Sequence, residues 1–259
     1  MRSKELLFAE ERKQQIVELI NNSDKVTVAQ LCDYFKVSSA TIRNDLRELE
    51  NSNLLRRTHG GAMAKSKTGF ELDTPQKEGY HLAEKNKIAE AAIDLIDDGD
   101  TIIIDTGTTT MELAKRLNRK SNITVVVNDI NIARLLEDYE GISIILLGGM
   151  VRKQFHCTVG FWGLKIISEI SVDKAFIGSN AISSKGISTP DVNQAEMKKA
   201  MIAAANKVIV LSDSSKFGKN SFAKFANLSQ VDTIITDSGL SVATRKEFEV
   251  GGIEIIVAD

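Results

Sequence analysis

Thr101-Ile102-Ile103-Ile104-Asp105-Thr106-Gly107-Thr108-Thr109-Thr110 decides the reading of most of this 259-residue chain. Its run of β-branched residues predicts a short strand over 101–105, buried on both faces. Gly107 breaks that strand, and the hydroxyl-rich residues behind it open a helix over 109–117. Such a helix N-terminus presents backbone N–H groups and side-chain hydroxyls at the positive end of its dipole, a fitting place for a phosphate or a carboxylate.

Outward from this stretch the same unit recurs. Apolar runs predict strands over 123–127, 142–147, 174–178, 208–211, 233–236 and 253–257. Helical periods fall between them, over 87–97, 130–137 and 194–205, and near 163–170 and 242–249. Short apolar strands alternating with helices predict an α/β fold, a doubly wound, Rossmann-like, mostly parallel sheet. Ligands of such sheets bind outside the carboxyl ends of the strands. The polar groups expected there are Asp105, Gly107, Thr108, Thr109, Thr110, Asn128, Gly148, Gly149, Arg152, Glu196 and Lys216. Arg152 and Lys216 would neutralise an anion, and Asp105, Asn128 and Glu196 would hydrogen-bond hydroxyls. Together they describe a site for a phosphorylated sugar or polyol.

Composition sets the class. Hydrophobic residues at 42% and charged residues at 26%, with a net charge of −2, exclude wholesale disorder. Two cysteines, Cys32 and Cys157, make no disulfide framework and fit a reducing compartment. No apolar run approaches the ~20 residues of a membrane span, and the first residues carry no signal peptide pattern. The expectation is a cytoplasmic protein with no membrane association.

The texture changes before residue 80. Residues 1–65 carry eleven Lys/Arg against nine Asp/Glu, and the remainder is net acidic. The polar stretch 64–79, with Pro75, is expected to link two domains, 1–63 and 80–259. The first domain shows three helical patterns. Thr27 caps the second and Ser38 the third, where Ile42, Leu46 and Leu49 share a buried face. The two-residue turn between those helices has helix-turn-helix spacing. Leu54–Gly61 then reads as a hairpin wing with glycines at its turn. With Ile42, Leu46 and Leu49 inward, Thr41, Arg43, Asn44 and Arg47 face outward or flank that face. Arg43 and Arg47 lie one turn apart and can fork onto guanine or phosphate. Thr27, Ser38, Ser39, Arg56, Arg57 and His59 complete the set expected on double-stranded DNA. Asp45 would repel phosphate and is expected in a cap or a salt bridge.

These residues also carry a family likeness. Ser38–Leu46 (SSATIRNDL) and 54–62 (LLRRTHGGA) resemble the DNA-binding domain of the DeoR family of bacterial transcription regulators. Asp105–Thr109, Gly148-Gly149, Val172–Gly178 and Asp213–Gly218 resemble its sensor domain. Asn44 stands where the family more often has arginine, Thr106 where serine is commoner, and Val127 where threonine is usual. The resemblance implies a repressor of a sugar-catabolism operon, released from operator DNA by a phosphorylated sugar. It also implies a sensor fold related to sugar-phosphate isomerases. Specific operator binding normally uses two copies, so a homo-oligomer is expected.

An enzyme is the alternative: a sugar-phosphate isomerase with an appended DNA-binding domain, with Glu196 or Asp213 as general base. The helix-turn-helix serves no isomerase, so no catalytic residue is assigned. No G-x-G-x-x-G follows the first strand and no Walker pattern occurs, so no nucleotide cofactor is expected. His59, His81 and His156 lack metal-ligand spacing, so no metal is expected either. Cys157 reads as packing, His156 as a loop or minor pocket residue, and Trp162 as core or interface.

Overall fold

The computed structural model describes residues 9–23, 25–52, 54–63, 69 and 71–259. The chain divides into two compact units, Met1–Leu72 and Asp73–Asp259.

In the first unit, helix α1 (Ala9–Ser23) leads through strand β1 (Lys25–Thr27) into α2 (Val28–Phe35) and α3 (Ser39–Asn51), then into β2 (Arg56–Thr58) and β3 (Gly61–Met63). The strands form an antiparallel sheet in the order β1-β3-β2. The wing is therefore three-stranded rather than a lone hairpin, because Val26 adds an edge beside Ala62. Ile16, Ile20, Leu31, Ile42, Leu46, Leu49, Leu55 and Ala62 are buried and form the core. Thr27 caps α2 in a box with Gln30, and the Ser38 hydroxyl accepts from the Thr41 amide at 3.1 Å. Gly61 has a packing reason: a Cβ there would sit 2.0 Å from the Val26 carbonyl oxygen.

Residues 64–68 and 70 of the expected linker lie outside the described residues. The end of that stretch is folded instead. Asp73 caps α4 (Thr74–Glu78) in a box with Gln76, and Pro75 stands in the first turn, where its missing N–H costs nothing. The Thr74 amide donates to the Gln154 carbonyl at 3.1 Å.

The second unit continues with α5 (Leu82–Ile93), β4 (Thr101–Ile104), α6 (Thr108–Ala114), β5 (Ile123–Val127), α7 (Ile130–Glu137) and β6 (Ile142–Leu146). A short hairpin follows, β7 (Met150–Arg152) and β8 (Cys157–Val159), then α8 (Phe161–Ile167), β9 (Val172–Gly178), β10 (Ala181–Ser183), β11 (Gly186–Thr189), α9 (Val192–Ala203) and β12 (Ala205–Leu211). The chain ends through β13 (Ala223–Ala226), β14 (Thr233–Asp237), α10 (Val242–Val250) and β15 (Glu254–Ala258). Seven strands make one parallel sheet in the order β15-β14-β12-β9-β4-β5-β6. Alternation along β4 sends Ile102 and Ile104 to the face covered by α5, α6 and α7, and Ile103 to the other. That second face packs α8, α9 and α10 together with the small antiparallel sheet β10-β11-β13.

The chain leaves β4 toward β5 and β6, then returns to β9 on the opposite side of β4. The strand order thus reverses between β4 and β9, which opens a crevice outside their carboxyl ends.

Candidate functional site

On α3, Ile42, Asp45, Leu46 and Leu49 are buried, and Arg43, Asn44 and Arg47 are exposed on the opposite side. The Arg47 guanidinium donates to the Asn44 side-chain oxygen at 3.0 Å, so the two form one polar surface. Ser38 and Ser39 are exposed at the start of the helix, and Thr41 is half-buried. Arg56 and His59 are exposed on the wing. Arg57 is half-buried and held by Glu50, whose carboxylate accepts from the Arg57 amide at 2.9 Å. Asp45 takes the salt-bridge alternative. Its two oxygens accept from Arg12 Nε at 2.7 Å and Nη2 at 3.1 Å, a buried fork tying α1 to α3.

At the switch point, the Asp105 carboxylate accepts from the Gly178 amide at 3.0 Å and pairs with Lys198 of α9. Lys198 Nζ also donates to the Gly178 carbonyl at 2.9 Å. β4, β9 and α9 therefore meet in one buried ion pair. Burial raises the Asp105 pKa above the usual carboxylate range, against the opposing pull of Lys198. Beside it, Thr106 donates to Asp129 at 2.6 Å, and Asp129 caps α7 by accepting from the Asn131 and Ile132 amides. Asn128 donates to the Thr158 carbonyl at 3.1 Å.

Several expected ligand groups are placed differently. Asp105, Thr110 and Asn128 are wholly buried, so they build the crevice floor rather than its open surface. The Thr110 hydroxyl is turned back onto the Gly107 carbonyl at 2.9 Å. Oxygen atoms of Asp105 (Oδ1) and Asn128 (Oδ1) are buried without a hydrogen-bond partner among the described residues. Gly148 and Gly149 open the β7–β8 hairpin, and a Cβ at Gly149 would lie 2.5 Å from the Val159 carbonyl oxygen. Backbone proximity explains that glycine without any ligand. Glu196 is outside the crevice: it is exposed on α9 and pairs with Lys199 at 2.7 Å. Asp191, not Glu196, opens that helix.

What remains open at the crevice is half-buried: Gly107, Thr108, Thr109, Arg152 and Lys216. Gly107 takes the N-cap position of α6 with φ at +153°, and no side chain caps the helix there. Arg152 stacks over the Phe155 ring at 3.7 Å, and Lys77 of α4 lies 5.5 Å from the same ring. Arg152 also faces Asp191 at 3.5 Å. Lys85 of α5 donates from Nζ to the Lys77 carbonyl at 2.6 Å. Asp213 caps the turn that carries Lys216 and lies 3.7 Å from its ammonium. Burial opposes ionisation of Asp213, yet Lys216, the Ser215 hydrogen bond, His81 and Lys85 together hold its pKa below the ordinary range. Arg152 and Lys77 thus share the Phe155 ring, while Lys216 and Lys85 both act on Asp213.

Lys85 and Lys198 were missed by sequence reasoning. Both occupy inward stripes: Lys85 precedes Ile88, Ala89 and Ala92, and Lys198 lies between Gln194 and Met201–Ile202 on the buried side of α9. A lysine at an apolar-periodic position was the available signal. Of the two carboxylates considered as isomerase bases, Glu196 is exposed and paired with Lys199, and Asp213 caps the turn that carries Lys216. Cys157 is buried, and burial pushes its thiol up to about 11, as packing requires. Trp162 is not core, being 65% exposed. Among the described residues no group of three His, Cys, Asp or Glu side chains is placed to hold a metal, and no helix is long and apolar enough to cross a membrane.

Comparison with known proteins places the chain. Residues 12–68 match the DeoR-like helix-turn-helix domain and residues 80–238 the DeoR C terminal sensor domain. The HTH-type transcriptional regulator GlpR of Haloferax volcanii is 38% identical, over 95% of this chain and 96% of its own length. The HTH-type transcriptional repressor GlcR of Bacillus subtilis is 37% identical, over 98% of each. A putative aga operon transcriptional repressor of Escherichia coli O157:H7 is 32% identical, over 95% and 93%. Similar solved structures include ribose 5-phosphate isomerase A of Methanocaldococcus jannaschii, with 22% identity over 51% of this chain and 53% of that one and a TM-score of 0.38. Another is eIF2B delta of Chaetomium thermophilum, with 16% identity over 90% and 98% and a TM-score of 0.46. The protein belongs to the DeoR family of transcriptional regulators.

Proposed function

We propose that this regulator is a cytoplasmic repressor of a sugar or polyol catabolic operon, released from double-stranded operator DNA by a phosphorylated sugar bound in the second unit. The observation that carries the reading is the coexistence, in one chain, of the exposed Arg43–Asn44–Arg47 face on a capped α3 with half-buried Arg152 and Lys216 in the segments that follow the carboxyl ends of β6 and β12 in a doubly wound sheet. The names of the GlcR and aga operon relatives support the metabolic assignment. Gly107, Thr108, Thr109, Arg152 and Lys216 are the groups that meet the ligand, over a floor held by Asp105 and Asn128. Thr27, Ser38, Ser39 and Thr41 seat the helix-turn-helix on phosphates, and Arg56, Arg57 and His59 extend the contact along the wing. A homo-oligomer would present two recognition helices to a palindromic site.

Release requires that the ligand favour the state that does not bind DNA, since equal affinity for both states shifts nothing. The test is fluorescence anisotropy on labelled DNA from upstream of the chain's own operon, titrated with paired phosphorylated and free sugars. The expected result is that one sugar phosphate weakens operator binding at least tenfold and its free sugar does not. A full panel without effect on the DNA complex overturns the reading.

A further inference from the structure

A cavity apart from the crevice lies between the turn of the β10–β11 hairpin, the loop after β12 and the start of α10. Its volume is about 470 Å³, in the range of small-molecule sites. None of Gly107, Thr108, Thr109, Arg152 and Lys216 lines it. Its apolar lining is Phe217, Phe248 and Leu240, and the two rings meet edge to face at 5.4 Å. Most of its hydroxyls are already committed. Ser183 donates to the Asn220 side-chain oxygen at 2.7 Å, Ser214 donates to Asp237 at 2.8 Å, and Ser241 and Thr244 share a hydrogen bond at 2.8 Å. Two charges are not committed. Lys185 in the hairpin turn and Glu247 on α10 both line the cavity and are exposed. Among the described residues neither side chain has a hydrogen bond or an ion pair, and they are not paired with each other. One free cation and one free anion thus stand at the mouth of a cavity whose apolar part is aromatic.

We propose that this cavity is a second small-molecule site, for a zwitterion with an aromatic body, the class of a free aromatic α-amino acid. The ligand carboxylate meets Lys185, its ammonium meets Glu247, and its ring packs on Phe217, Phe248 and Leu240. Charge decides between ligand classes. A simple anion is set against Glu247 and a simple cation against Lys185, whereas a zwitterion uses both groups at once. A neutral polyol leaves both charges unused and presents hydroxyls where the protein's own are already satisfied. Phe217 and Gly218 directly follow Lys216, and the Phe217 backbone bridges to Ile182 of β10, so an occupant of this cavity touches residues next to the crevice turn. The inference goes beyond the sugar-phosphate reading and does not depend on it.

The test is calorimetric titration of the full chain at neutral pH with L-phenylalanine and two truncated analogues. Phenethylamine keeps the ammonium and lacks the carboxylate, and 3-phenylpropionate keeps the carboxylate and lacks the ammonium. The wild-type chain should bind phenylalanine with millimolar or tighter affinity, and each analogue at least tenfold more weakly. Each variant should lose one half of that discrimination. Lys185→Gln should bind phenylalanine no better than phenethylamine, while still preferring it to 3-phenylpropionate. Glu247→Gln should bind phenylalanine no better than 3-phenylpropionate, while still preferring it to phenethylamine. Both side chains are exposed, so the variants should keep the wild-type circular dichroism and melting temperature. This crossed pattern is one that a merely structural role for either residue does not produce. No binding of phenylalanine to the wild-type chain overturns the site, and so does equal binding of either analogue. Full discrimination retained by both folded variants overturns it too, because the amino acid then binds elsewhere. None of these outcomes bears on release of operator by a sugar phosphate, so the two readings stand or fall separately.

Discussion

Asp45, Lys85 and Lys198 each occupy a position where the helical period calls for an apolar side chain, and each is buried. Asp45 and Lys198 have a matched partner of opposite charge, in Arg12 and Asp105. Among the described residues Lys85 has no carboxylate of its own within salt-bridge distance. Its folded-state pKa of about 8 lies below the 10.5 of an exposed lysine, so below pH 8 the fold bears the full cost of the charge. That cost fades as pH rises from 8 toward 10.5, where the unfolded chain still binds the proton that the folded one has released. Lys85→Met should therefore raise stability at pH 7, by roughly 1–3 kcal/mol, with the gain shrinking between pH 8 and 10. Urea denaturation at both ends of that window checks it, and an unstable variant at pH 7 contradicts it. On the proposed DNA face, Arg47 is exposed and carries no such burial cost. Arg47→Ala should weaken operator binding by about 1–3 kcal/mol if the guanidinium forks onto a base, read by anisotropy. Unchanged affinity would move the reading face elsewhere.

At the scale of elements, most of the α/β unit is legible in the sequence because its strands are β-branched runs. The periods over 123–127 and 130–137 give the observed limits, and the other sheet strands fall within a few residues of theirs. The short strands Ala181–Ser183, Gly186–Thr189 and Ala223–Ala226 are not legible, since small and polar residues give them little period-2 signal and their pairing is long-range. Gly148-Gly149 misleads for a related reason. A glycine needed for close backbone approach looks in sequence like one needed for a ligand. Glu196 is off by about half a helical turn, and the crevice instead receives Lys198. In the first unit the Arg12–Asp45 fork joins elements 33 residues apart. Arg12→Ala or Asp45→Ala should each cost about 3 kcal/mol by stranding a buried charge, whereas Arg12→Met with Asp45→Leu should recover most of it. Urea melts followed by circular dichroism distinguish these cases; losses below about 1 kcal/mol in the single variants would mean that water screens the pair.

Over the whole molecule, the second unit leaves an apolar surface without cover among the described residues. Phe161 and Trp162 of α8 touch edge to face at 5.2 Å and are 66% and 65% exposed. Met150 and Val151 of β7 and Ile145 and Leu146 of the edge strand β6 are exposed as well. α8 approaches the turn between β6 and β7, since a Cβ on Gly163 would lie 3.1 Å from the Gly148 carbonyl oxygen. β6, with the sequence ISIIL, has neither charge nor proline to discourage pairing. The proposed homo-oligomer would bury this face, so Phe161→Ser with Trp162→Ser should shift sedimentation toward the smaller species. An unaltered profile would remove this face from the assembly.

The hydrogen bond from Thr74 to Gln154 has a mechanical meaning. Phe155, wedged between Arg152 and Lys77, belongs to the same four-residue tip, and Thr74 is the second residue after the boundary between the units. The tip therefore serves as a mooring for the first residues of the second unit. A displacement of that aromatic wedge would carry with it the first turn of α4.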